Sequence, residues 1–191
     1  MPWTARLSLA AATWALALPS WSATLYTLPS ATPALQTDTE VAVAVAAAAG
    51  AGQVDFTLAG YGTLDGDNGY IDVFHLSLNG VEIFSGTWDL GGGGANRLLL
   101  DTYGATVGTA ANQRLQVSIP VMLAAGENQI VFRYASPTTF EGSSRAGFQG
   151  LGDEGWGLDA LTMTGTVPEP AESAKLLAGL AVLGWLATRR R

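Results

Sequence analysis

The chain has 191 residues, no cysteine and a single histidine, which excludes disulfides, thiolate chemistry and a zinc site built from clustered Cys or His. Between positions 24 and 166 only four basic side chains (Arg97, Arg114, Arg133 and Arg145) face fourteen acids, so this stretch carries a net charge near −10. Such a surface repels phosphate backbones and argues against nucleic acid as a partner; it suits a solvated exported domain, or one that holds calcium.

Residues 1–22 read as a signal peptide. Arg6 supplies the positive start, residues 7–18 are apolar, and Pro19 then ends any helix before a run of small residues. Cleavage after Ser22 puts Ser20 and Ser22 at the two small-residue positions. Twelve apolar residues are too few to span a bilayer comfortably. The folding unit expected after this segment is 24–166.

Within that unit, short runs with period-two alternation are separated by Gly, Asn and Asp. This pattern predicts an all-β fold, a sandwich or barrel. Eight strands are expected, at residues 40–46, 53–59, 71–78, 81–84, 97–102, 114–121, 129–135 and 158–164. The run 41–51 is Ala-rich, but Val41, Val43 and Val45 share one face of a strand. Val54, Phe56 and Leu58 do the same, as do Phe74, Leu76 and Leu78, with Val73, His75 and Ser77 on the opposite face. Leu115, Val117 and Ile119, then Ile130, Phe132 and Tyr134, continue the alternation. Asn79-Gly80 predicts a type I′ turn, which needs positive φ at both residues. Gly126 relieves a second tight turn.

Two groups of residues stand out chemically. Asp65, Asp67 and Asp72 crowd a Gly-rich stretch, and Asp153, Glu154 and Asp159 crowd another. Hard cations take six to eight oxygen ligands, so these acids are calcium candidates. The first stretch is not an EF-hand: Tyr70 occupies the place that motif gives to Gly, and no Glu closes the loop. The alternative is that Asp and Asn merely shape turns. Trp88, Tyr70 and Phe148 are candidates for stacking on sugar rings; Trp88 is expected beside a flexible loop at Gly91 to Gly94. Trp156 reads as a core residue at a strand entry. His75, alone on an outer face, reads as a surface residue, and no nucleophile elbow occurs, so the chain is expected not to be an enzyme.

The end of the chain carries Pro168-Glu169-Pro170, an apolar run at 176–187, and Arg189, Arg190 and Arg191. By the positive-inside rule the arginines stay cytoplasmic and the domain lies outside. Residues 167–191 resemble the PEP-CTERM sorting signal, in which an exosortase recognises the motif after membrane insertion of the helix. The resemblance implies exosortase as processing partner, a temporary transmembrane helix, and delivery to the cell surface or an exopolysaccharide matrix. The segment 117–134 resembles a hairpin of carbohydrate-binding jelly rolls. Residues 152–159 resemble the entry to the last strand of secreted β-sandwich modules, although that pattern often has Asn where this chain has Ala160. The last two resemblances imply a single antiparallel β-sandwich of jelly-roll type. Taken with the acidic and aromatic candidates, the leading expectation is a non-catalytic surface or matrix protein, with calcium-stabilised glycan binding as one reading. A purely structural matrix component and a glycoside hydrolase are the alternatives.

Overall fold

The computed structural model describes residues 22–136, 151, 153–167, 178–182, 185, 188 and 189. Its strands, in chain order, are β1 (Ser22–Thr27), β2 (Leu35–Gln36), β3 (Glu40–Ala47), β4 (Gly50–Gly62), β5 (Val73–Leu78), β6 (Val81–Thr87), β7 (Arg97–Asp101), β8 (Thr106–Val107), β9 (Arg114–Leu123), β10 (Gly126–Ala135) and β11 (Glu154–Thr166). They form two antiparallel sheets. Sheet A has the order β1-β11-β4-β9-β8, with β2 also paired to β11; sheet B has the order β3-β10-β5-β6-β7.

One core lies between them, because each long strand alternates apolar residues inward. Val54, Phe56 and Leu58 of β4, with Leu115, Val117 and Ile119 of β9, enter from sheet A. Phe74, Leu76 and Leu78 of β5, with Ile130, Phe132 and Tyr134 of β10, enter from sheet B. Aromatic rings bridge the layers: Phe56 meets Phe132 edge-on at 5.4 Å, and Phe74 lies 6.4 Å from Trp156. Asn79 and Gly80 have φ of 52° and 79°, the geometry a type I′ turn requires between β5 and β6.

All eight expected strands are present, with shifted ends. Ile71 and Asp72 fall before β5 rather than in it, and β4 and β11 extend to 13 residues each. The short β1, β2 and β8 were not expected; each has its β character from pairing with a longer strand. The segment expected as a hairpin is instead an arch. β9 pairs with β4 and β8, β10 with β3 and β5, so the chain crosses from one sheet to the other. Buried Asn128 holds that crossing, its amide donating to the Ala124 carbonyl and its oxygen accepting the Ala124 N–H.

Residues 1–21, with nearly all of the expected signal peptide, lie outside the described residues. So do Phe148, Pro168, Glu169, Pro170, Arg190 and Arg191. Helical turns occur at 178–182, 185 and 188, and the Arg189 guanidinium stands 4.1 Å over the Trp185 ring. Among the described residues no helix is long and apolar enough to cross a membrane.

Candidate functional site

Two places on the sandwich gather polar side chains. The first is an acidic pocket at the end where β4 leaves sheet A and β5 enters sheet B. The ladder of β10 and β5 pairs Tyr134 with Phe74 and Ala135 with Val73. Continuing that register sets Ser136 opposite Asp72, and the Ser136 hydroxyl accordingly contacts the Asp72 carboxylate. Glu154 opens β11 opposite Gly62, the last residue of β4, and its Oε2 lies 2.9 Å from the same Ser136 Oγ. Asp65 follows β4 by three residues, and its backbone N–H donates to Asp72 Oδ2 at 2.7 Å. The carboxylates of Asp65, Asp72 and Glu154 thus come within 4.8 Å of one another, and all three residues are buried.

The Gly91–Gly94 run, expected as a flexible loop, is tied to its surroundings by hydrogen bonds. Gly66 N–H donates to the Gly93 carbonyl at 2.7 Å, Gly92 N–H to the Leu64 carbonyl at 3.1 Å, and Asp89 Oδ1 accepts from Gly91 and Gly93. Gly92 lies so close to the Asp65 carboxylate and the Thr63 carbonyl that any side chain there would collide with both. The glycines let backbone wrap the pocket wall.

Burial controls the electrostatics. Asp72 rises from its ordinary 3.8 to about 6, mainly through desolvation, with the charges of Asp65 and Asp153 adding to it. Glu154 rises from 4.5 to about 7, by desolvation first and then by the Asp72 charge. Asp65 is also raised, again mainly by desolvation, although Asn68 donates to it at 2.6 Å. Beside them stands Tyr134, fully buried. Its hydroxyl is the one buried side-chain oxygen or nitrogen among the described residues without a hydrogen-bond partner. Desolvation and the three neighbouring carboxylates push its ionisation far up.

Of the six acids singled out in the sequence, three converge here and three do not. Asp67 pairs with Arg97. Asp159 accepts from Arg114 at 3.1 Å. Asp153 accepts from the Thr63 hydroxyl at 3.1 Å and adds only its charge to the pocket. Tyr134 and Ser136 were missed, since a tyrosine at an inward position of an alternating strand reads as ordinary core.

The stacking candidates need correction. Trp88 is 3% exposed and lies parallel to Phe84, ring centroids 5.7 Å apart. Its ring fills the space over Gly86, where any Cβ would strike it. A ring held in this way belongs to the core and has no face to offer a sugar. Tyr70 is 42% exposed on the connection before β5. Trp156 is fully buried, as expected, its indole N–H donating to the Gln36 carbonyl at 3.0 Å. His75 sits partly exposed against Glu82 at 3.0 Å.

The second place is a trough across the outer face of sheet A. Two adjoining depressions of about 330 and about 350 Å³ share Thr57, Gly108 and Gln116. β4 and β9 supply the floor: Asp55 lies opposite Ser118, Thr57 opposite Gln116, and Ala59 opposite Arg114. Gln53 and the Ser118 hydroxyl both donate to Asp55, which fixes the carboxylate in place. The Arg114–Asp159 pair closes one end. Ala160 forms part of the wall at a bulge between Asp159 and Thr162, with φ of 51°.

No family model matches the chain, and no curated protein matches it. Among solved structures it is similar to dimeric latent PorU from Porphyromonas gingivalis, at 15% identity and a TM-score of 0.39; the match covers 71% of this chain and 10% of the PorU chain. It is also similar to the C-terminal domain of EclA, described as a sugar-binding protein, at 10% identity and a TM-score of 0.34, over 80% of this chain and 84% of that one.

Proposed function

We propose that this chain is an exported, non-catalytic protein of the cell surface or extracellular matrix, and that its β-sandwich binds glycan in the trough of sheet A. The observation that carries the reading is the trough itself. Planar hydrogen-bonding side chains (Asp55, Gln116 and Arg114) stand on rigid paired strands, with Ser118 and Gln53 locking Asp55. Sugar hydroxyls both donate and accept, and such pre-oriented groups bind them with little ordering cost. Each depression is within the size range of small-molecule sites. The export half of the reading rests on the sequence: a signal segment, then Pro168-Glu169-Pro170, an apolar run and terminal arginines, addressed to an exosortase.

A glycoside hydrolase would use paired carboxylates with one raised pKa, and Asp72 with Glu154 has that electrostatic character. Asp72 is fully buried and Glu154 is 5% exposed, however, so a sugar ring has no approach to them. That favours the non-catalytic reading.

A glycan array probed with the full chain tests the proposal. Binding is expected, and Asp55→Ala combined with Gln116→Ala abolishes it while Tyr70→Ala leaves it intact. Binding that survives the double change overturns the trough as the site. The purely structural reading draws on a different observation. β7 is the outer strand of sheet B and exposes Leu98, Leu99 and Leu100 at 48, 47 and 37%. Apolar edge strands invite pairing with another chain. Concentration-dependent sedimentation that Leu99→Lys removes, with no glycan bound, supports that reading instead.

A further inference from the structure

The geometry points to a calcium site in the acidic pocket, with Asp65, Asp72 and Glu154 as carboxylate ligands and the hydroxyls of Tyr134 and Ser136 beside them. It is independent of the glycan reading.

The first ground is convergence. Three buried carboxylates, two from the connection between β4 and β5 and one from the start of β11, lie within 4.8 Å of one another. Burying one anion without a partner is costly, and burying three together is more so. Asp89 and Asp153 add further negative charge. No basic side chain answers them: among the described residues Arg97, Arg114 and Arg133 pair with Asp67, Asp159 and Asp38.

The second ground is Tyr134. Its hydroxyl is fully buried, is felt electrostatically by all three carboxylates, and has no hydrogen-bond partner. Buried hydroxyls are almost always satisfied, and an orphan one calls for an unseen neighbour. A cation held by the carboxylates would give its oxygen a ligand to face.

The third ground is a proton count. Ser136 Oγ is within bonding distance of both Asp72 and Glu154. A hydroxyl has one hydrogen and can donate to only one of them. The other contact therefore needs either a proton on a carboxylate or a positive charge nearby.

The ligand class follows from the atoms. Every donor is oxygen, which suits a hard cation and not zinc. Calcium accepts six to eight oxygens in flexible geometry, and three carboxylates alone offer six. Magnesium usually keeps several waters and is bound through one or two carboxylates, fewer than converge here. An ion bound here would tie together the connection between β4 and β5, the start of β11 and the end of β10.

The test uses the full chain, stripped with EDTA and titrated with calcium chloride at mildly alkaline pH. Saturable heat at one ion per chain is expected, with a Tm that climbs with the logarithm of calcium concentration. Magnesium chloride at the same concentrations gives a much smaller rise. Glu154→Gln keeps the shape of the pocket, folds without metal, and loses the calcium-dependent rise. Terbium(III) emission excited through the aromatic rings appears on the wild-type chain and is displaced by calcium, a readout that needs no variant. Absence of heat, Tm shift and displaceable terbium emission overturns the site. So does a Glu154→Gln chain with the full calcium response, and an equal response to magnesium overturns the assignment to calcium.

Discussion

The acids of this protein fall into two regions with opposite solutions to the same problem. At the surface Asp38, Asp67 and Asp159 each meet an arginine in partly solvated pairs. In the pocket Asp65, Asp72 and Glu154 have lost their water and gained only hydrogen bonds and one another. The contrast is between charge that water and arginine neutralise and charge that must be neutralised by a proton or a bound ion. It teaches that Arg97, Arg114 and Arg133 are spent where they are worth least, since exposed pairs contribute at most about 1 kcal/mol.

The largest expected effect that separates the two regions is the pH dependence of the metal-free chain. Asp72 and Glu154 have folded-state values of about 6 and about 7, above their ordinary 3.8 and 4.5. Groups raised on folding contribute stability fully below their unfolded values, and that contribution is lost as pH rises through the folded values. The groups facing them are Asp65, Asp153 and Tyr134, none of which supplies positive charge. Unfolding free energies from urea titrations in EDTA should therefore fall between about pH 4 and pH 7, by roughly 3 kcal/mol from Asp72 alone. A stability that stays flat across this window would show that the pocket acids are no different from the surface ones.

Removing one pocket charge probes the same difference from the other side. Glu154→Gln should raise the stability of the metal-free chain at mildly alkaline pH by about 3 kcal/mol, and should change it little near pH 4, where Glu154 is already protonated. Denaturant titrations at the two pH values read the effect. A loss of stability at the higher pH would mean that the Ser136 contact outweighs the desolvated charge.

Much of this architecture was legible, and the reasons differ by element. Alternation at Phe74, Leu76 and Leu78 is a local record of a sheet with one buried face, and Asn79-Gly80 records a backbone that few other pairs adopt. β1, β2 and β8 carry no such record, because pairing with strands distant in sequence creates them. Trp88 was misjudged for a similar reason: the room for its ring comes from the missing side chain of Gly86 and from Phe84. In the pocket three of the six acids singled out in the sequence come together. The sequence could not tell which would meet an arginine, since Arg97 and Arg114 reach Asp67 and Asp159 across 30 and 45 residues. Tyr134 was hidden by its own alternation, because an orphan hydroxyl is a property of its neighbours.

A smaller effect lies beside a surface acid. Ala160 follows Asp159 at the bulge in β11 with φ of 51°, and its N–H is held by Asp159 Oδ1 at 2.8 Å. A left-handed backbone strains alanine and suits glycine or asparagine. Ala160 is exposed, so a longer side chain meets no core. Ala160→Asn should stabilise the chain by up to about 1 kcal/mol, and Ala160→Gly by a similar amount, in the same urea titrations. A loss with both would mean that the alanine methyl packs against the trough wall more tightly than the bulge is strained.

The smallest effect completes the contrast. Asp67→Asn removes a charge as Glu154→Gln does, but at a half-buried site whose partner Arg97 is well exposed. The pair loses its Coulomb term, while both side chains regain freedom and water. The change should therefore cost no more than about 0.5 kcal/mol and shrink further as salt screens the arginine. Its sign is opposite to that expected in the pocket, so the two isosteric amides measured side by side at low and high salt isolate burial as the cause. If Asp67→Asn instead stabilises the chain by as much as Glu154→Gln, net negative charge over the whole molecule governs both, and the pocket has no special claim on a cation.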